Sequence, residues 1–299
     1  MIQKMFQYII YFGFIFKNMW SKKEYFSNCN IFTSKQYNEL VYSAVRAQLS
    51  YKEPEELVNL MNDKSEAKTQ KDLIIRDILS ELTIKPIFFT SQKDAQAYLW
   101  GKDDTIYISF RGTSSLKDAV SDLDNLSVHI KDGIYVHEGF YNQFLSLESS
   151  ITEELKKHDN IKILKICGHS LGSTLCQISS AFYGEMFPDK YVICDTIGCP
   201  RTGNDKFVKW FSENVKENTR IVNKQDPVTM IPQRSLWTHT INTCIVIDTD
   251  CNVVICKKDQ PWWSRIFSSI KNINFTSPIE DHNSDEYISR LIKLRDKTV

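Results

Sequence analysis

The segment that most limits what this chain can fold into is Gly168-His169-Ser170-Leu171-Gly172. Before it stands ILKIC, a short apolar run that reads as a strand; after it stands STLCQISSAFYGEMF, which reads as a helix. A strand that passes into a helix through G-x-S-x-G must turn so tightly that only glycines fit at the flanks. Such a turn lifts the serine Oγ above the sheet and aims the helix N-terminus at it. The backbone N–H groups there favour negative charge on a nearby oxygen. Ser170 is therefore the candidate nucleophile. The same glycines would also suit a strand-to-helix turn that binds phosphate.

A serine nucleophile needs a base, and the base needs an orienting carboxylate. On a sheet of this kind the chain order is Ser, Asp, His. Two histidines follow Ser170, His239 and His282. Asp226 sits in IVNKQDPVTMIP, just after a brief strand, and Pro227 keeps it extended. An Asp-Pro pair is also a common turn former. His282 lies in IEDHNSDEY, a polar loop able to reach over the sheet, whereas His239 opens a β-branched strand that would bury or pair it. His282 is favoured over His239. His129, His137 and His158 read as structural or surface residues, and His169 as a support of the turn.

The rest of the chain sets the context. Short apolar strands at 87–89, 97–100, 105–110, 161–167, 191–197 and 221–223 alternate with helical patterns at 37–51, 55–82, 140–157, 171–186 and 205–217, and a hairpin follows at 240–256. That alternation predicts an α/β fold, a mostly parallel central sheet with helices on both faces. The 299 residues carry 37 basic and 37 acidic side chains, so no net charge draws the chain to nucleic acid. No apolar run reaches the roughly 20 residues of a spanning helix. Residues 6–16 (FQYIIYFGFIF) suit a targeting h-region or a membrane-surface segment, although no small-x-small cleavage pattern follows. Residues 1–30 are accordingly set apart from a domain at 31–299. Secretion or membrane association is slightly favoured over the cytoplasm. Cys167, Cys176, Cys194 and Cys199 fall in buried-looking segments, where a thiol acts as a small hydrophobe. A hairpin turning near Thr249 and Asp250 would set Cys244 opposite Cys256, which leaves one disulfide open. No cysteine and histidine spacing suggests a metal, and no cofactor is called for.

Further motifs join these residues into a pattern. Ile108-Ser109-Phe110-Arg111-Gly112-Thr113, His137-Glu138-Gly139-Phe140, Thr196 through Asn204 (TIGCPRTGN), Arg220 through Val228 (RIVNKQDPV) and His282-Asn283 with Tyr287 occur in order along the chain. With them the chain resembles the class 3 lipases, the family of fungal triacylglycerol lipases and plant acyl-lipid hydrolases, over roughly residues 37–295. The resemblance implies the α/β-hydrolase fold with a short lid helix, and the triad Ser170, Asp226, His282. It adds an oxyanion hole from Thr113 and Leu171, and Arg111 as a structural anchor. The family's lid falls at 114–127, where Leu116, Ala119, Val120 and Leu123 share a helical face that would cover an acyl groove or equally pack as a surface helix. Many relatives carry a tryptophan where this chain has Ala119, which argues against strong interfacial activation. A Trp262, Ile266, Ile270 stripe beside Arg265 and Lys271 suits either a lipid surface or packing on the sheet.

The expected activity is hydrolysis of lipid carboxylic esters at a lipid–water interface through an acyl-serine intermediate, triacylglycerol lipase-like. Phospholipase A1 or galactolipid acyl hydrolysis, or acyl transfer, would use the same residues. A silent lipid-binding protein would require loss of one of them, and none is lost. Peripheral membrane contact is expected; nucleic acid is not.

Overall fold

In the computed structural model, the described residues are 26–27, 32–113, 126–232, 237–240, 243–256 and 280–298. The apolar run at 6–16, the lid residues Leu116, Val120 and Leu123, and the Trp262 stripe all lie outside them. In chain order the elements are β1 (Phe26–Ser27), α1 (Ser34–Leu49), α2 (Pro54–Asn62), α3 (Gln70–Ser80), β2 (Ile84–Thr90), β3 (Gln96–Lys102) and β4 (Thr105–Phe110). A small hairpin of β5 (Ser127–Lys131) and β6 (Ile134–His137) leads into α4 (Glu138–Leu155). Then come β7 (Ile163–His169), α5 (Leu171–Met186), β8 (Tyr191–Ile197), α6 (Asp205–Asn214), β9 (Glu217–Asn223), β10 (Thr243–Ile247), β11 (Val253–Cys256) and α7 (Ser284–Lys297).

Among the described residues nine strands form one sheet in the order β1-β11-β10-β9-β8-β7-β4-β3-β2. Its five middle strands, β4, β7, β8, β9 and β10, run parallel, and the strands at each edge are antiparallel. Period-two alternation sorts their side chains to two cores. Ile106, Ile108, Leu164, Ile166, Val192 and Cys194 pack on one face with residues of α4, α5 and α6. Cys167, Ile197, Ile221, Ile245 and Ile247 pack on the other with α1, α3 and α7. Burying each Leu, Ile or Val contributes about 1.5–3 kcal/mol, so both helical layers are held chiefly by this apolar contact.

Two polar residues interrupt the second core. Lys165 on β7 and Asp195 on β8 point at α1, where Lys165 Nζ lies 3.0 Å from Glu39 and 3.6 Å from Asp195, and Ser43 Oγ donates to Asp195 at 2.6 Å. A charge buried this way is tolerated because it is paired and hydrogen-bonded. Arg46 adds its guanidinium over the Tyr107 ring at 3.8 Å. These contacts fix α1 to the sheet behind Ser170.

The stretch expected as one helix over 55–82 is two, α2 and α3. Asp63 accepts from the Ser65 N–H at 2.8 Å, and Thr69 caps the second helix with Asp72 in a capping box. Cys244 and Cys256 do sit opposite one another in the β10–β11 register. The Cys256 side chain is outside the described residues. Among the described residues no helix is long and apolar enough to cross a membrane.

Candidate active site

Strand β7 ends at His169, α5 begins at Leu171, and Ser170 makes the whole turn between them with φ 57° and ψ −132°. A non-glycine residue at positive φ costs of order 1–3 kcal/mol and persists only where its surroundings impose it. They do so here by close approach. A Cβ on Gly168 would meet the Gly172 carbonyl at 2.3 Å, and one on Gly172 would meet the Phe110 carbonyl at 2.3 Å. The Ser170 N–H donates to the Ile197 carbonyl at 2.9 Å, and Ser173 Oγ ties Gly168 and Ile197 together from the first turn of α5.

Two further segments arrive at the same carboxyl end of the parallel strands. Asp226 follows β9 and is fully buried. One of its oxygens accepts from the Val228 N–H at 2.9 Å; the other accepts from Tyr287 at 2.6 Å and from His282 Nδ1 at 2.8 Å. A carboxylate only accepts, so Nδ1 carries the proton and Nε2 is left as the acceptor for Ser170 Oγ, 2.8 Å away. The turn that carries His282 is itself pinned. Asp281 takes the Arg290 guanidinium at 2.5 Å and the Gln225 N–H at 3.1 Å, and its carbonyl accepts from Asn223 at 2.9 Å. Ser170, Asp226 and His282, separated by tens of residues in the chain, thus form one line of hydrogen bonds.

Thr113 lines the same cavity as Ser170 and His282. Leu171 stands at the first turn of α5, directly after Ser170, where helix N–H groups lack partners within the helix. Arg111 lies beside Glu53 at 3.2 Å, hydrogen-bonds Gln96, and holds β4 to its surroundings. His239 is buried beside Arg220 with its Nε2 2.8 Å from the Thr229 carbonyl; the imidazole on Ser170 is that of His282. His129 receives the Gly133 N–H, His158 meets Glu154, and His137 stacks on Phe140.

His169 does more than fill the turn. Its Nε2 lies 2.8 Å from the His282 carbonyl oxygen, which can only accept, so Nε2 donates and Nδ1 accepts from the Tyr51 hydroxyl at 3.0 Å. Tyr51 therefore reaches the His282 backbone through one neutral imidazole. Burial, aided by the neighbouring His282, pushes the His169 pKa down to about 3. An unfolded histidine titrates near 6.5, so between those values the unfolded chain binds the extra proton and stability falls as pH falls. We expect urea unfolding of the wild type at pH 7, 5 and 4 to lose up to about 1.4 kcal/mol per pH unit through this group. His169→Gln should start less stable at pH 7 and lack that component of the slope. Parallel pH profiles for the two proteins would refute it.

Sequence reasoning missed Tyr51, which carries no motif and lies 118 residues from His169. It gave no role to Tyr287, whose hydroxyl accepts the Asn223 N–H at 2.9 Å while donating to Asp226.

The geometry can be set beside known proteins. The family model described as Lipase (class 3) matches residues 107–236. A lipase of Rhizopus niveus is 29% identical over 169 residues, 53% of this chain and 43% of the relative. Toxin TseL of Vibrio cholerae serotype O1 is 34% identical over 128 residues, 42% of this chain and 19% of the toxin. The chain thus spans less than half the length of the curated relatives it matches. The solved structure of lipase II from Rhizopus niveus superposes with a TM-score of 0.65 at 24% identity, covering 86% of this chain and 95% of that one. Its likeness is one of fold, the α/β-hydrolase architecture that the parallel sheet and its flanking helices also describe. The elbow, the FRGT strand and the Asp226 segment all fall inside the residues that match the class 3 lipase model.

Proposed function

We propose that this protein is a serine carboxylester hydrolase acting on lipid esters at a lipid–water interface, with residues 31–299 as its catalytic unit. The observation that carries the proposal is the unbroken line from Ser170 Oγ through His282 to Asp226, at 2.8 Å in each step. His282 takes the Ser170 proton as Oγ attacks the ester carbonyl. The backbone N–H groups of Thr113 and Leu171 receive the oxyanion, each worth about 3 kcal/mol of transition-state stabilisation. Collapse of the tetrahedral intermediate breaks the bond to the alcohol, and His282 protonates the departing oxygen. Water then attacks the acyl-Ser170 ester with His282 again as base, releasing the fatty acid and restoring the free serine. Asp226 keeps His282 in the tautomer this cycle needs and stabilises the imidazolium that forms. A buried, strained serine beside a correctly oriented imidazole is an arrangement that a merely lipid-binding protein has no reason to keep.

The test is covalent. A fluorophosphonate probe should label the folded protein at Ser170, read as a mass increase on the peptide containing that residue, and emulsified triacylglycerol or phospholipid vesicles should release fatty acid. Folded protein that neither labels nor releases fatty acid would refute the proposal in favour of a binding role.

A further inference from the structure

The hydrolase proposal asks groups on two separate segments to act on one carbonyl. Thr113 offers its N–H to the carbonyl oxygen while His282 Nε2 takes the proton of Ser170 Oγ. Both segments lie beyond the sheet ladder. The pairing that fixes β4 ends at Phe110, opposite Ala97 and Gly168, and the Arg111 N–H adds one bond more, to the Gln96 carbonyl at 3.0 Å. Gly112 and Thr113 come after it, and His282 ends a short 3-10 turn over Glu280–His282. Their relative position therefore has to be set by side chains.

Tyr51 stands where the two segments meet. It follows α1, and its turn is held to β3 by the Tyr98 hydroxyl, which donates to the Lys52 carbonyl at 2.9 Å. The Tyr51 hydroxyl accepts the Gly112 N–H. An N–H only donates, so the phenol proton is left for His169 Nδ1, 3.0 Å away, and His169 Nε2 donates in turn to the His282 carbonyl at 2.8 Å. These bonds all run in one sense, from the Thr113 loop to the backbone of the base. The packing is as tight as the bonding: a Cβ on Gly112 would collide with Tyr51 Oη and with the His169 carbonyl oxygen, so the loop lies flat on both. Burial raises the Tyr51 pKa well above the usual tyrosine range, which keeps on the hydroxyl the proton that this line needs.

We propose that Tyr51 is a positioning residue of this active site: its hydroxyl fixes the Gly112–Thr113 loop to His169, and through His169 to the backbone of His282, so that the oxyanion donor and the base keep one spacing while Ser170 attacks. The inference rests on the hydrolase proposal and adds to it a residue that works through its neighbours. An error of about 1 Å in such a spacing can cost about 10²-fold in rate. A direct contact between Tyr51 and substrate would be felt already in the bound ester, whereas a spacing is felt when the tetrahedral oxyanion forms.

Tyr51→Phe keeps the ring and removes the oxygen, so the Gly112 N–H and His169 Nδ1 both lose this partner. Wild type and variant are titrated to completion with a fluorophosphonate, and every rate is counted per reactive Ser170, so that an unfolded fraction cannot imitate the result. On a short-chain ester the variant should lose about 30-fold in kcat per titrated site, with KM within about twofold of wild type. Butylboronic acid supplies the second measurement. Ser170 Oγ adds to its boron, the Oγ proton passing to His282, and the tetrahedral anion places a hydroxyl where the oxyanion would lie. Its inhibition constant should therefore rise by about the same 30-fold. Wild-type kcat per site, a loss carried by KM, or a boronate constant that does not move would overturn the positioning role and leave the hydrolase standing. Wild type that cleaves no ester and leaves Ser170 unlabelled by fluorophosphonate would overturn both.

Discussion

Ser170→Ala should lower kcat for ester hydrolysis by a factor on the order of 10⁶, with the folded state at least as stable as before. The size follows from the geometry. Ser170 Oγ is the atom at hydrogen-bond distance from His282 Nε2, and its removal ends the acyl-enzyme route. What remains is water attack assisted by His282 and the oxyanion donors, a residual of about 10³–10⁴ over the uncatalysed reaction. Stability should hardly suffer, because the turn is fixed by the Ile197 carbonyl, Ser173 and the two glycine contacts, none of which uses Oγ of Ser170. Initial rates on a short-chain ester, paired with a thermal melt, measure both halves. A variant as fast as wild type would remove Ser170 from the mechanism, and one that is inactive because unfolded would show in the melt.

Asp226→Asn is expected to cost a factor of about 10⁴ in kcat with KM changed only a few-fold. All three donors around this carboxylate, the Val228 N–H, the Tyr287 hydroxyl and His282 Nδ1, require an acceptor. An amide offers one oxygen. Turned toward Val228, it presents N–H to His282 and drives the imidazole into the tautomer that donates toward Ser170 instead of accepting from it. Turned toward His282, it sets N–H against N–H at Val228 in a fully buried site. Either arrangement also destabilises the fold, by about 1–3 kcal/mol for a buried group left unsatisfied. Steady-state kinetics and denaturant unfolding on the same preparation separate the two losses. A variant with near-normal kcat would mean that Asp226 is not what orients His282.

Much of this architecture could be read from the chain because its signals are local. The parallel strands announce themselves as β-branched runs, and a strand, G-x-S-x-G and helix in succession leave few alternatives to a tight elbow. Other features were hidden for physical reasons. Lys165 and Asp195 interrupt strands that are otherwise largely apolar, and what permits them is a partner on α1 more than a hundred residues earlier. Tyr51 is bound to His169 by topology, which no local spacing records. Two signals were present and not used. Thr69 and Asp72 form the capping box that divides the helix expected over 55–82. Asp132 and Gly133, both at positive φ, make the Asp-Gly turn of the β5–β6 hairpin.

The docking of α7 on α1 carries a consequence for when this molecule becomes active. Arg295 reaches Asn38 across 257 positions, Gln48 reaches Asp285 across 237, and Ser170 waits for His282 across 112. Contacts of such range form late, after the loop entropy of the intervening chain has been overcome. A growing polypeptide that has already emerged through Ser170 still lacks its base, and the elbow alone holds an ordinary hydroxyl. The line of hydrogen bonds from Ser170 to Asp226 therefore closes only when residues 280–298 settle into place.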